Sequence, residues 1–464
     1  MRGRIQNIEM LSFILALLIV SISCYIFWEN LYRHFFRPAR VPSNLLDKDV
    51  LTKSWTDSHF MIFKIRCQNL KWRLMKKLGN SLDGAALNVL RFQYRRWLYD
   101  QGSNLNLDSE LTHQILNMED PDSENAKLGH CFKTHIFYPS EIEADKFSKV
   151  VFLYHGSGWC VCRPDKSHYK FCQLVAKKLN RTVIAVDYSK SPEFPFSETK
   201  PSPFYDCWRS TKLCLEKFEI SDYMLLGDSA GGNLVLGVAH KIADHNAAAE
   251  DPVPIPKFVV PIYPATQFVN FNTDSYMDSD YPNLPRRGVI DYDMAYMMGA
   301  CEEEIIDLVD KDGHEILNWK NFSQEQRESL GVSTIGQTLA QHQNLSNRAK
   351  HQISKFADKI NKFSNPLLTK NEEDISSFVG AIEHGIILVC AEHDSIRSDS
   401  ELFDRKFRKH FEDEGKVFDF AQIDGGWHGM FSAAPQVPKV MPESFGEVSK
   451  FLDRVLEIEN EKEG

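Results

Sequence analysis

The ten cysteines of this 464-residue chain form no C-x-x-C pair and show no zinc-site spacing, so we predict no metal and no cofactor. Basic residues are not in excess: the net charge of −10 argues against nucleic acid as a partner. Internal repeats and Pro- or Gly-rich linkers are also lacking. The composition, 43% apolar, favours one large domain with additions and leaves the oligomeric state open.

The most informative positive feature is a G-x-S-x-G pentapeptide at 227–231, with Ser229 at its centre. An apolar, strand-like run precedes it and a helix-like run follows. Strand, tight turn and helix in that order are typical of a nucleophile elbow, in which the serine hydroxyl projects above a sheet. The helix N-terminus also favours negative charge that develops beside the serine. Ser229 is therefore the predicted nucleophile.

A serine needs a base, and the base needs an acid that orients it. In this fold the acid and then the histidine follow the serine along the chain. Asp394 comes just after the apolar run 386–390, and His428 follows the alternating run 417–423. We predict Asp394 as the acid and His428 as the base. Glu392 and Asp399 are nearby rivals for the acid position.

A third loop supplies candidate donors for an oxyanion. The strand-like run 150–154 is followed by His155, Gly156, Ser157 and Gly158, close to the HGGG-type loop of lipases and esterases. We predict an oxyanion hole formed by the backbone N–H groups of Ser157, Gly158 and Ala230, the residue after the nucleophile. His155 and Gly156 are expected to support this loop rather than react.

These blocks jointly resemble the hormone-sensitive-lipase branch of the α/β hydrolases, and within it the arylacetamide deacetylase-like membrane enzymes. The resemblance runs from about residue 130 to residue 432. It implies an α/β-hydrolase fold, with a mostly parallel central sheet flanked by helices and a helical cap, and hydrolysis of carboxylic esters or amides. The matching segments are 155–159, 187–188 with 192–196, 227–233, 365–368, 392–394 with Arg397, and 428–429.

The chain departs from the family pattern at several positions. The family has glycine where this chain has Ser157, and a Cβ there restricts φ. The family sequence Tyr-Arg-Leu-Ala-Pro-Glu appears here as 188–193, with Ser189 and Lys190 in place of Arg and Leu. The paired acids that follow Arg in the family appear as Ser398 and Asp399. These changes leave the predicted triad intact.

Residues 10–28 contain no charged side chain and, as a helix, would reach roughly 28 Å. We predict an uncleaved transmembrane anchor; a cleaved signal peptide is the alternative, disfavoured by the length of the apolar run and its bulky end. The predicted organisation is an anchor with flanks at 1–40, an N-terminal cap region at 41–130 and a catalytic domain at 131–464. A cap insertion falls around 270–365.

Charge bias around the anchor is nearly balanced, so it does not fix the orientation. The family resemblance implies a single-pass type II protein of the endoplasmic reticulum membrane with a lumenal catalytic domain. Sequons at Asn180, Asn321 and Asn344 are compatible with that placement. A lumenal domain also permits disulfides, and Cys160 and Cys390 are one candidate pair.

The residues and the resemblance together predict a membrane-anchored serine hydrolase acting on a lipophilic ester or amide, with the bilayer as its other partner. Two other classes remain open. A peptidase on this fold would need a charged subsite for a peptide terminus, and no such signature is evident. A non-catalytic ligand-binding relative would usually lack a member of the triad, whereas all three candidates are present here.

Overall fold

A computed structural model describes residues 108–464, apart from 128, 250, 269–272, 278–283, 285, 300–358, 360, 370–371 and 440. Among the described residues, no helix has the length and apolarity needed to cross a bilayer. The predicted anchor at 10–28 and most of the N-terminal cap region at 41–130 lie outside the described residues.

The core of the protein is an eight-stranded sheet in the order β1-β2-β4-β3-β5-β6-β7-β8. The β1–β2 and β2–β4 pairs are antiparallel, and all other neighbouring pairs are parallel. The predicted mostly parallel sheet is therefore confirmed. Its strands are β1 Leu111–Glu119, β2 Cys131–Pro139, β3 Val150–Tyr154, β4 Thr182–Val186, β5 Tyr223–Asp228, β6 Phe258–Ile262, β7 Gly385–His393 and β8 Val417–Trp427.

Helices cover both faces of the sheet. They are α1 Ser123–Lys127, α2 Tyr169–Leu179, α3 Pro203–Phe218, α4 Ala230–Ala248, α5 Asp274–Met277, α6 Arg286–Met298, α7 Glu372–Gly380, α8 Arg397–Asp413, α9 Met430–Ala433 and α10 Pro442–Glu463. Short 3₁₀ segments occur at Ser140–Asp145, Pro366–Leu368 and Ala434–Gln436.

The apolar runs form central strands because both of their faces are covered. In β3, Phe152 packs into a core on one face of the sheet, whereas Val151 and Leu153 pack into a core on the other. Side chains of α3, α4, α7 and α8 contribute to the first core, and those of α2, α9 and α10 contribute to the second. All five residues of β3 are buried.

The sheet begins earlier than the sequence indicated. β1 starts at Leu111 and pairs along its whole length with β2, whereas we predicted that the catalytic domain starts at residue 131. The reason is that β1 lies at the sheet edge and exposes much of one face, so it lacks the continuous apolar run of a central strand. Of the predicted cap insertion at 270–365, the described helices are α5 and α6.

A buried ion pair ties the C-terminal helix to the sheet. The guanidinium of Arg181 is fully buried; it donates to Asp222 Oδ1 at 2.7 Å and also to Glu459 of α10. Arg181→Met would leave the buried Glu459 carboxylate with only the more distant Lys149, at 3.8 Å, so we expect the free energy of unfolding to fall by about 3 kcal/mol. Lys178→Met breaks an exposed pair with Asp453 and should cost at most about 1 kcal/mol. Equal losses in denaturant titrations would contradict this account.

Candidate active site

Ser229 lies in the turn between β5, which ends at Asp228, and α4, which begins at Ala230. Its backbone has φ 57° and ψ −118°, a conformation that is costly for a residue with a Cβ. A backbone hydrogen bond from Ser229 N to Ile262 O at 2.8 Å fixes the turn against β6. The geometry is that of a nucleophile elbow, and Ser229 is 8% exposed.

The glycines on either side of Ser229 are required by close backbone approach. A Cβ on Gly227 would lie 2.4 Å from Gly231 O, and one on Gly231 would lie 1.8 Å from Tyr154 O. Neither contact is compatible with a side chain. The small residues of the motif therefore allow α4 to start directly against the ends of β3 and β5.

His428 connects the serine to a buried carboxylate. Ser229 Oγ lies 2.8 Å from His428 Nε2, and His428 Nδ1 lies 2.7 Å from Asp394 Oδ2. An ionised carboxylate only accepts hydrogen bonds, so this arrangement places the imidazole proton on Nδ1 and leaves Nε2 to accept from the serine hydroxyl. The three residues that we predicted from the sequence are thus in one hydrogen-bonded row, with the connectivity that base-assisted nucleophilic attack requires.

Asp394 is oriented from its own loop, because its Oδ1 accepts from Ile396 N at 3.0 Å. The rival acids lie elsewhere. Glu392 Oε2 accepts from Gly425 N at 2.7 Å. Asp399 accepts from Thr266 N and from the Gln267 side chain, each at 3.0 Å, and burial raises the pKa of its carboxyl to about 7.

The predicted oxyanion loop starts at the end of β3 and is clamped onto the residue before the nucleophile. Gly156 N donates to Asp228 Oδ1 at 2.7 Å, and a Cβ on Gly156 would lie 2.6 Å from Asp228 O. His168 Nε2 lies 3.1 Å from the same carboxylate oxygen. Asp228 therefore joins the loop to the elbow. Sequence reasoning did not identify this role of Asp228 and His168; the only signal was an acid beside the nucleophile.

Two residues of the loop have left-handed backbones, with φ 116° at Ser157 and φ 60° at Gly158. The Ser157 hydroxyl donates to Val161 O, which holds this unfavourable φ in place. A Cβ on Gly158 would lie 2.3 Å from the ring of Tyr292, so helix α6 covers the loop closely.

Within the described part of the chain, neither Ser157 nor Gly158 donates its N–H to another backbone carbonyl. Ala230 opens a helix, where N–H groups lack intrahelical partners. Their joint role as an oxyanion hole stays a prediction.

His155 is fully buried beneath the loop. Its Nδ1 lies 2.8 Å from Gly156 O, its ring stacks on Tyr188 at 4.1 Å, and Tyr188 Oη donates to His155 O at 2.7 Å. Burial, followed by the positive charge of Lys190, lowers the pKa of His155 well below its usual value. These contacts suit the supporting role predicted for His155 and Gly156.

No disulfide joins Cys160 to Cys390, so the candidate bridge is absent from the structure. Cys390 lies inside β7, and β7 is three strands away from β3, the strand that leads to Cys160. Three strand spacings amount to about 14 Å, against the roughly 4.4–6.8 Å between Cα atoms that a disulfide requires. Cys160 instead packs with Cys162 and Ala295.

One cluster of possible metal ligands occurs among the described residues. A ring nitrogen of His135 and carboxylate oxygens of Asp165 and Asp187 lie within 4.8 Å of one another. Arg163 Nε already lies 3.0 Å from Asp165 and 3.5 Å from Asp187, and Lys190 lies 3.2 Å from Asp187. The two cations balance the two carboxylates, so the cluster offers no excess negative charge to a divalent ion.

Of the three sequons, only Asn180 is described. It is exposed and forms the left-handed C-cap of α2, so its side chain is accessible on the folded surface. Asn321 and Asn344 lie outside the described residues.

Comparison with known proteins matches residues 151–307 to the family described as alpha/beta hydrolase fold. Neutral cholesterol ester hydrolase 1 of Mus musculus is 24% identical over 339 residues, which cover 70% of this chain and 78% of that protein. Arylacetamide deacetylase-like 3 of Mus musculus is 24% identical over 300 residues, which cover 61% of this chain and 66% of that protein. Hormone-sensitive lipase of Ictidomys tridecemlineatus is 29% identical over 167 residues, which cover 36% of this chain and 21% of that protein.

Among solved structures, a fungal esterase from Rhizomucor miehei superposes with a TM-score of 0.54 at 18% identity. The match covers 82% of this chain and 92% of that chain. A likeness at this identity shows a shared fold.

Proposed function

Because the chain is an α/β hydrolase related to the hormone-sensitive-lipase branch, we propose that it is a serine hydrolase that cleaves carboxylic esters of lipophilic compounds. The observation that carries this proposal is the hydrogen-bonded row Ser229–His428–Asp394. The row is assembled from three loops at the carboxyl ends of β5, β8 and β7, the edge where open α/β sheets build their sites.

In the proposed reaction, His428 Nε2 takes the hydroxyl proton as Ser229 Oγ attacks the acyl carbonyl carbon. The tetrahedral intermediate then collapses, and His428 returns that proton to the departing alcohol. The acyl group stays esterified to Ser229. A water molecule, deprotonated by His428, attacks this acyl-enzyme and releases the carboxylic acid. Asp394 stays ionised and stabilises the imidazolium that forms at each step.

The negative oxygen of each tetrahedral intermediate would be bound by the N–H groups of Ser157, Gly158 and Ala230. Support comes from the loop that carries Ser157 and Gly158, since Asp228 clamps it beside the elbow. Loss of one such donor typically slows an enzyme by about 10²–10³-fold.

A lipophilic substrate is supported by the relatives, whose names specify cholesterol esters and lipase activity. The cap side of the loop is also aromatic. Trp159 stacks on Tyr296 of α6 at 4.2 Å, and Phe268 packs against both rings. These three rings are buried, so they pack the cap helix α6 against the loop beside Ser229. Amides remain a second substrate class, in line with the deacetylase-like relative.

We further propose that residues 10–28 anchor the chain as a single-pass type II protein of the endoplasmic reticulum membrane, with the hydrolase domain in the lumen. Support comes from the uncharged apolar run and the three sequons. Endoglycosidase treatment of membranes should increase gel mobility, and Asn180→Gln should remove part of that shift if Asn180 is modified. An unshifted protein that protease digests in sealed vesicles would place the domain on the cytosolic side.

The proposed activity is tested with p-nitrophenyl esters of increasing acyl length and a matched anilide. We expect the purified full-length chain to hydrolyse the esters and Ser229→Ala to be inactive. The ratio of rates for long and short acyl chains then reports the lipophilic preference. A well-folded wild-type chain without esterase or amidase activity would favour the alternative of a non-catalytic ligand-binding relative.

A further inference from the structure

Lys190 lies in the loop after β4. Its side chain is only 11% exposed, which is unusual for a lysine. The ammonium lies 3.2 Å from Asp187 Oδ1, 2.6 Å from Tyr188 O and 3.9 Å from the centre of the Tyr188 ring. Its fourth contact is His155 Nε2, at 3.0 Å.

We propose that Lys190 is a positioning residue that fixes the tautomer of His155 and, through it, the orientation of the oxyanion loop. The inference rests on the proposed ester hydrolysis at Ser229. It assigns a function to a buried side chain that the triad does not use.

The two ring nitrogens of His155 face different partners. Nε2 faces Lys190, whereas Nδ1 faces Gly156 O and, at 3.2 Å, Tyr188 Oη, whose own proton is donated to His155 O. An ammonium only donates hydrogen bonds, so Nε2, which faces Lys190, must accept. A carbonyl oxygen only accepts, so Nδ1, 2.8 Å from Gly156 O, must carry the proton. Lys190 and Gly156 together therefore permit one neutral tautomer. The pKa of His155, lowered well below its usual value by burial, agrees with a neutral ring.

The bond to Gly156 O acts on the oxyanion hole through one peptide plane. The carbonyl of Gly156 and the N–H of Ser157 belong to the same planar trans peptide unit, in which they point in opposite directions. Holding Gly156 O on His155 therefore fixes the direction of the Ser157 N–H, a predicted oxyanion donor. Asp228 holds the preceding N–H, that of Gly156, at 2.7 Å.

The other tautomer would aim an unprotonated Nδ1 at Gly156 O, and two acceptors at 2.8 Å repel each other. The peptide between Gly156 and Ser157 would then rotate or shift, and the Ser157 N–H would lose its alignment. A donor on Nε2 excludes this state. Without Lys190, only the bond to Gly156 O favours a proton on Nδ1. The other tautomer then becomes accessible whenever the peptide between Gly156 and Ser157 shifts.

Three variants of the full-length chain separate this role from a purely structural one. Lys190→Met removes both the donor and the charge. Lys190→Arg keeps a side chain that only donates, so it should preserve the tautomer. Arg163→Gln is the matched control, because Arg163 also pairs with Asp187, at 3.5 Å, while its guanidinium is held by Asp165. Active sites are counted by fluorophosphonate titration, so that rates refer to folded enzyme only.

We expect Lys190→Met to lower kcat about tenfold with KM changed less than about twofold, since the loop is loosened rather than deleted. The affinity for an alkyl trifluoromethyl ketone, whose tetrahedral adduct places a negative oxygen in the hole, should fall in parallel with kcat. Lys190→Arg should retain most of the wild-type kcat and most of the affinity for the ketone. Arg163→Gln should resemble the wild type in both quantities. If Lys190→Met does not fold, Lys190→Gln replaces it; glutamine allows either tautomer, and an intermediate loss is expected.

Unchanged kcat and ketone affinity in the folded Lys190→Met or Lys190→Gln enzyme would overturn the inference while leaving the hydrolase intact. An equal loss in Arg163→Gln would also overturn it, since charge balance at Asp187 would then be responsible. Failure of Lys190→Arg to recover activity would likewise contradict the tautomer argument. A folded wild-type chain that neither hydrolyses esters nor takes up the fluorophosphonate would remove the proposed function itself, and this inference with it.

Discussion

Replacing Asp394 with asparagine should lower kcat by about four orders of magnitude, as in other enzymes that use this row of residues. The asparagine amide can donate to His428 Nδ1, which stabilises the tautomer with its proton on Nε2. That tautomer cannot accept the proton of Ser229 Oγ, 2.8 Å away. The fold should survive, because the substitution preserves shape. The comparison is made on active sites counted by titration.

Glu392→Gln is the matched control. Glu392 lies two residues before Asp394, and its carboxylate accepts from Gly425 N rather than from His428. We expect its kcat to stay within about threefold of the wild-type value, since an amide oxygen can still accept that hydrogen bond. A larger loss in Glu392→Gln than in Asp394→Asn would show that the acid of the site has been misassigned.

Gly231→Ala is expected to have the second largest effect. The new methyl group would lie 1.8 Å from Tyr154 O, a backbone atom at the end of a fully buried strand. Helix α4 would have to move away from β3 and take the elbow with it. Overpacking typically costs about 1–3 kcal/mol, and we expect a loss at the upper end of that range together with loss of esterase activity.

The control for Gly231→Ala is Gly446→Ala, because a Cβ on Gly446 in helix α10 meets nothing within 4 Å. This variant should keep full activity and gain up to about 1 kcal/mol of stability from the better helix propensity of alanine. Thermal unfolding and ester hydrolysis, measured on both variants, test whether the loss of stability and activity is specific to Gly231. A stable, active Gly231→Ala enzyme would contradict the packing described for the elbow.

The central strands and the loops after them could be predicted because parallel strands covered on both faces appear in the sequence as continuous apolar runs. Val150–Tyr154 is such a run, and its loop follows directly. The antiparallel strands, β1 at the sheet edge and β2 beside it, were not anticipated. β1 is partly exposed and its sequence shows neither a continuous apolar run nor a regular alternation, which are the two patterns that identify a strand.

Sequence-based prediction of the active site was limited in the same way. The sequence named three acids near the end of β7, and only the fold shows that Asp394 rather than Glu392 or Asp399 contacts His428. Contacts between distant segments leave no local pattern, which is why the His168–Asp228 pair was not anticipated. The suggested Cys160–Cys390 bridge was wrong for the corresponding reason: two positions beside neighbouring functional loops need not have neighbouring side chains.

The central claim, that Ser229 is an activated nucleophile, is tested most directly by locating the adduct of a tagged fluorophosphonate on the full-length chain. Mass spectrometry of the digested protein should find the phosphonyl group on Ser229. Labelling should disappear in Ser229→Ala and persist in Ser400→Ala, a change at a buried hydroxyl that has no hydrogen-bond partner among the described residues. An adduct on a different residue, or a folded wild-type chain that takes up no probe, would contradict the account.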